Sequence, residues 1–379
     1  MENSRLFNPK QLTSARISRG MTMKELSESI GVSRQMISNY ESGKTTPKAE
    51  NILKIVAVLK FPRSFFSENT LELNYGATYF RSQSSATKRT RDMQKERLAY
   101  AKMIYNKLSK YVNFPDVKLP ELLDMPLNEI TDDTIKKKAQ ELRDTWGIDA
   151  ESPIRKLISI AEVNGVIIVE ANMSDNKLDA VSRWIVDRPF IMLTDNQESL
   201  VRRRFNIAHE LGHLILHNGI EDIYDLSPKE LKEIEKQANL FASHFLLPDE
   251  PFVKSLLSTS LEFFVDLKSH WQVSIQAMIY KTHHLGLLTD DQRLYLNKKI
   301  SWNKWRTIEP LDNSLLIERP NLFKKVYEMI LNHHVVAEKV LNNSFNLPID
   351  ELERMLNVKI NEALEDAIEL RPNLRLLKS

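Results

Sequence analysis

Between residues 166 and 193 the helical texture of this chain breaks once, and that break limits the folds open to it. VIIVEA (166–171), AVSRWIV (180–186) and PFIML (189–193) are rich in β-branched and aromatic residues, the composition of strands. Asp187-Arg188 between the last two reads as a two-residue hairpin. On either side of this block apolar residues recur at helical spacing. A sheet this small must be covered by helices, so the expected fold is mainly α with a small antiparallel sheet, in the α+β class.

Residues 8–66 read as five short helices. Asn8-Pro9 starts the first, Thr22 with Glu25 forms a capping box before the second, and Gly31 ends it. Ser33 caps a third helix ended by Gly43, Thr46-Pro47 starts a fourth, and Phe61 to Phe66 closes the unit with aromatic packing. Residues 67–92 are polar with little period and read as a linker or arm. Helical spacing returns from Met93 to Val112, over Asp132–Trp146, and from Ser152-Pro153 to Asn164-Gly165.

The chain has no cysteine, which excludes disulfides and thiolate metal sites. It has no apolar run long enough for a membrane helix, and its first residues lack the pattern of a signal peptide. The expectation is a cytoplasmic protein with no membrane partner. A net charge of +2 hides an asymmetry: residues 1–66 carry +6, residues 67–110 carry +5, and the remainder carries −9. A basic front on an acidic body points to a polyanion partner for the front only.

Within RRRFNIAHELGHLILHNG (202–219) lies HELGH. His209 and His213 are one helical turn apart on one face, so both can reach one cation, and Glu210 can act on a water held there. The alternative is an ordinary core helix. A catalytic zinc takes a third protein ligand and keeps a position open. His217 lies eight residues beyond His209, about 12 Å up the axis, too far to join, and is expected to have a supporting role. In IEKQANLFASHFLLP (234–248), Ala238, Phe241, Ala242 and Phe245 form a buried stripe, and Glu235 lies on it. A carboxylate facing a core must neutralise, pair or bind a cation, so Glu235 is the candidate third ligand. His244, on the opposite face, is expected in solvent. Glu210 would be the general base of metal-assisted hydrolysis. Candidates for a transition-state donor are Tyr224, His217 and Arg183. An exposed sheet edge beside the site would take a substrate strand through main-chain hydrogen bonds.

RRRFNIAHELGHLILH followed by EKQANLFASHFLLP resembles the ImmA/IrrE family of metallopeptidases. The upstream LDAVSRWIVDRPFIML and the later stretches 267–292 and 301–312 share the resemblance, which covers roughly 150 to 312. It implies a zincin-like fold, Zn2+ at His209, His213 and Glu235, and Glu210 as the catalytic residue. It also implies a protein substrate that is typically a DNA-binding repressor of stress or mobile-element genes. Lys236 is followed by Gln237, where the family often has an acid, which leaves Glu235 as the clearer ligand.

LSESIGVSRQMISNYESGKTTP resembles the phage-repressor-like (XRE) helix-turn-helix class. Leu26, Ile30, Val32, Ile37 and Tyr40 would form its core. Ser33, Arg34, Gln35, Ser38 and Asn39 would face the major groove of double-stranded DNA, with Lys44 and Thr45 on phosphate. Met23 stands where many relatives place a phosphate-binding Gln, and Lys24 is the candidate substitute. Residues 78–91 would either add phosphate contacts or form an interdomain arm. Such proteins usually read two half-sites, so a homodimer is expected.

The sequence therefore divides into a helix-turn-helix domain (1–66), a linker and helical connector (67–150), an ImmA/IrrE-like metallopeptidase domain (151–312) and a C-terminal helical region (313–379) with packing or dimer faces. Two functions fit. One is a DNA-binding regulator with a zinc endopeptidase that cuts a partner repressor. The other is a transcription factor whose zincin-like domain senses a ligand or acts as a scaffold without catalysis.

Overall fold

The structure, a computed structural model, describes residues 7–68, 75–80, 87–171, 180–194, 199–220 and 226–360. The head begins with α1 (Pro9–Ser18), where the Asn8 side chain accepts from the Lys10 amide and Pro9 fills the first turn. Thr22 and Glu25 make both bonds of the capping box at α2 (Met23–Ile30), and Gly31 ends that helix at φ +73°. The Ser33 hydroxyl caps α3 (Arg34–Glu41). The fourth helix, α4 (Ala49–Leu59), begins two residues after Pro47. Leu26, Ile30, Ile37 and Tyr40 are buried as expected, and Val32 packs partly buried against them. Phe61 and Phe65 close the unit with rings 4.5 Å apart.

Residues 67–92 differ from expectation. They hold a strand, β1 (Tyr75–Phe80), and the start of a long helix, α5 (Lys88–Leu108). The first turns of α5 are polar, so no periodicity announces them. The Thr87 cap and the Arg89–Glu25 ion pair at 3.1 Å hold them instead. Then follow α6 (Asp132–Thr145), α7 (Leu157–Val163), β2 (Ile167–Ala171), β3 (Ala180–Ile185) and β4 (Arg188–Thr194). The chain continues through α8 (Leu200–Leu216), α9 (Pro228–Leu246), α10 (Asp249–Ser255), α11 (Leu261–Trp271), α12 (Ile275–His284) and α13 (Asp290–Trp302). It closes with α14 (Leu322–Asn332), α15 (Glu338–Phe345) and α16 (Ile349–Leu356).

The α+β class holds, and the sheet is mixed rather than purely antiparallel. Its order is β1-β3-β4-β2, with β1–β3 and β3–β4 antiparallel and β2–β4 parallel. Strand alternation divides the core. Ile167, Val169, Val181, Ile185, Phe190 and Met192 face the head and α5, whereas Ile168, Ala180, Ile191 and Leu193 face α8 and α9. With both faces covered, β2 is buried at every position, which is why it reads as an apolar run broken only by Glu170, whose carboxylate pairs with Arg203 and Arg319.

The hairpin turn falls one residue earlier than expected, because Ile185 pairs with Arg188 across Val186-Asp187. Val186 sits at φ +60°, a left-handed conformation that a β-branched side chain resists. Val186→Gly is expected to stabilise the protein by about 1 kcal/mol. Urea denaturation checks this; an unchanged midpoint would mean the turn carries no strain.

The C-terminal helices pack on the head. Arg19 donates two bonds to the Asp350 carboxylate, at 2.9 and 3.0 Å, and Ser64 Oγ donates to Asn346 Oδ1 at 2.7 Å. Phe323, Tyr327, Phe345 and Leu352 share one cluster with Leu12 and Phe61. Among the described residues no helix is long and apolar enough to cross a membrane.

Candidate metal centre and nucleic-acid interface

His209 and His213 lie one turn apart on α8 with their Nε2 atoms 3.0 Å from each other. From α9, Glu235 Oε2 lies 3.5 Å from His209 Nε2, and Oε1 lies 3.6 Å from His213 Nε2. Both rings are fully buried, while the Glu235 side chain is 25% exposed. Gly212 permits the approach: a Cβ there would lie 3.1 Å from the Phe241 side chain on α9. The glycine of HELGH thus lets α9 bring its carboxylate to the two imidazoles. Glu210 is fully buried beside His209, and Ser182 Oγ of β3 donates to its carbonyl at 3.5 Å.

The outer nitrogens fix where the ring protons sit. Gln237 Nε2 donates to the Leu127 carbonyl at 3.0 Å, so its Oε1 is the atom that meets His217 Nε2 at 2.9 Å. That oxygen can only accept, so His217 carries its proton on Nε2. His217 Nδ1 is then an acceptor, 3.0 Å from His213 Nδ1, and His213 must donate from Nδ1. On the other ring, His209 Nδ1 donates to Asn239 Oδ1 at 3.0 Å. Both facing Nε2 atoms therefore present lone pairs, to each other and to a carboxylate. Glu235 Oε1 itself is buried with no hydrogen-bond partner among the described residues. Three acceptors facing one another repel, and a cation among them or an added proton on either ring would relieve this. Burial, with the neighbouring His213, pushes the His217 imidazole down to about 3, which keeps that ring neutral.

In the head, Ser33, Arg34, Gln35, Lys44 and Thr45 are exposed, and Ser38 and Asn39 are half-buried. Gln35 Nε2 donates to Asn39 Oδ1 at 3.1 Å, so these two side chains stack on the outer face of α3. The Ser33 hydroxyl is engaged as the helix cap at 3.2 Å from the Met36 amide. Lys24 is exposed near Glu28, and Met23 packs against the head core.

Residues 161–283 match the family model of the IrrE N-terminal-like domain, and residues 12–66 match that of the helix-turn-helix. The chain joins these two domains. Among solved structures, the crystal structure of Bacillus thuringiensis PlcR in complex with the peptide PapR7 and DNA aligns at 15% identity over 89% of this chain and 90% of that chain. Its TM-score of 0.16 is too low to indicate a shared fold. No curated protein matches the chain.

Other candidates in the IrrE-like domain lie elsewhere. Ser182 and Trp184 both bond to α8 carbonyls, so Arg183 between them points to the opposite face of the sheet. There it lies within electrostatic reach of Glu96 on α5, away from His209, His213 and Glu235. Tyr224 lies outside the described residues. His244 does occupy the face of α9 opposite Glu235, but α6 and α12 cover that face and it is only 5% exposed. It forms a second trio with Asp132 and His284. His244 Nε2 is 3.0 Å from Asp132 Oδ1, and His284 Nε2 is 3.1 Å from Asp132 Oδ2. The Lys281 ammonium, paired with Asp249, meets His244 Nδ1 at 2.9 Å and can only donate. His244 Nδ1 also lies 3.3 Å from Asp249 Oδ1, so both of its ring nitrogens have protein partners and this trio is held together without a cation.

Gln237 and Asn239 are the residues that sequence reasoning missed. Gln237→Met would free His217 to switch tautomer and is expected to weaken metal binding by about 10–100-fold. Competition with a chromophoric chelator measures this; unchanged affinity would remove the relay from the account.

Proposed function

We propose that this chain is a DNA-binding regulator whose IrrE-like domain holds zinc at His209, His213 and Glu235 and cleaves a peptide bond in a partner repressor. The single observation that carries this reading is the convergence of the two Nε2 atoms, 3.0 Å apart, with the Glu235 carboxylate 3.5 and 3.6 Å from them. Two imidazoles and one carboxylate suit zinc and leave room for water. When bound, zinc would polarise the scissile carbonyl and make water more acidic. Glu210 accepts the proton of the attacking water and delivers it to the leaving amine. The buried rings exclude bulk solvent, and the half-open side at Glu235 admits the substrate. Incubating zinc-loaded protein with repressors encoded beside its gene tests the reading: cleavage of one is expected, and cleavage of none would count against it.

We divide the chain at 1–66, 67–150, 151–312 and 313–379, with both family matches falling inside single segments. The head reads DNA in the cytoplasm as a homodimer. Asn39→Ala is expected to cost about 1–3 kcal/mol and relax base preference, whereas Lys44→Ala lowers the salt slope by about 1. Fluorescence anisotropy on a selected operator across a salt series separates the two; equal effects on random DNA would argue against base readout by Asn39. Sedimentation showing monomer with and without DNA would contradict the dimer.

One observation favours the second reading, a ligand-sensing or scaffold domain without catalysis. The edge of β3 is not open, because β1 pairs along it. If Glu210→Gln leaves repression and derepression unchanged in cells, that reading prevails.

A further inference from the structure

β1 comes from between the head and the IrrE-like domain, yet it completes that domain's sheet. Its partner β3 is the strand tied to the metal helix: Ser182 bonds to the Glu210 carbonyl and Trp184 Nε1 to the Leu214 carbonyl. The register sets Tyr79 opposite Ser182, Thr78 opposite Arg183 and Phe80 opposite Val181. The β1 backbone thus lies one strand spacing, about 4.8 Å, beyond the residue that touches Glu210. An extended peptide adding to this sheet beside the metal helix would take this same position.

The pairing is also short and interrupted. Tyr75 pairs with Ile185 and Thr78 with Arg183, so a bulge breaks the register between them. Regular pairing is continuous only over Thr78–Phe80. A strand held this briefly at a sheet edge is open to exchange with another strand.

We propose that the outer edge of β3 is the substrate-binding edge and that the chain's own segment Tyr75–Phe80 occupies it as a built-in competitor. This rests on the peptidase reading and names its substrate class: a segment that can lie extended, with the β-branched and aromatic character of YGATYF. The partner segment enters by displacing β1, so the free protein is restrained until β1 leaves.

The test uses the full-length chain with Ala77→Pro and Thr78→Pro together. Successive amides of a strand point to opposite sides, so the pair removes one β3-facing donor in either phase. A fluorescent peptide of residues 74–82 is the probe. It is expected to bind the double variant on the order of 10–100-fold more tightly than the parent chain, and hydrogen exchange at residues 181–185 should speed up in the variant alone. Equal peptide binding to both chains, binding to neither, or unchanged exchange would overturn the proposal. Cleavage of a repressor at equal rates by both chains would also overturn it while leaving the peptidase reading intact. Peptide binding to the variant alone, with no hydrolysis by either chain, would keep the edge assignment and remove the peptidase reading.

Discussion

Glu210→Gln is expected to slow cleavage by about 10²–10⁴-fold while leaving metal content unchanged. Glu210 is not among the three groups that converge on the candidate cation position, so the amide should not disturb their donor atoms. It is fully buried and sits between its neighbour His209 and the β3 contact at its own carbonyl. Gln keeps that volume and backbone contact but cannot accept the proton of the attacking water. Single-turnover cleavage, read beside zinc content, separates the two effects. Parent-like rates would exclude Glu210 as the base. A variant that loses both metal and activity would make Glu210 part of the cation's support instead.

Lys268→Met should destabilise the chain by about 3–5 kcal/mol, the cost of leaving buried charge without its partner. Lys268 is wholly buried on α11, with its ammonium 2.8 Å from Glu309 Oε2 and 2.6 Å from Asp312 Oδ1. Glu309 also accepts from the Ile275 and Gln276 amides at the start of α12, at 2.8 and 3.1 Å. Methionine fills the stem but leaves two nearly buried carboxylates facing each other. The thermal midpoint is expected to fall by roughly 5 °C. A loss below about 1 kcal/mol would mean that water replaces the ammonium without penalty.

This network gives a structural role to one stretch that the sequence marked only by resemblance, since SWNKWRTIEPLD supplies Glu309 and Asp312 to fasten α12. The caps at Asn8, Thr22 and Ser33, the turn at Gly31, and the pairing of His209 with His213 each depend on residues within four positions. Glu235 stands out in sequence as one acid on an apolar stripe, and its carboxylate lies beside the two imidazoles.

What escaped depended on distant partners. The helical angle gave the correct face for His244 but could not say that α6 and α12 cover it. The relay through His217 and Gln237 exists only because α9 closes over Gly212. β1 lacks an apolar alternation of its own, and its order comes from β3, over a hundred residues later. The turn at Val186 carries no glycine or asparagine to announce its left-handed backbone.

The most direct measurement is anomalous diffraction at the zinc edge from crystals of the full-length protein. A single strong peak within bonding distance of His209 Nε2, His213 Nε2 and the Glu235 carboxylate, and absent in Glu235→Ala, is the predicted result. No peak at that position in zinc-saturated crystals, or a peak that persists with Glu235 removed, would contradict it.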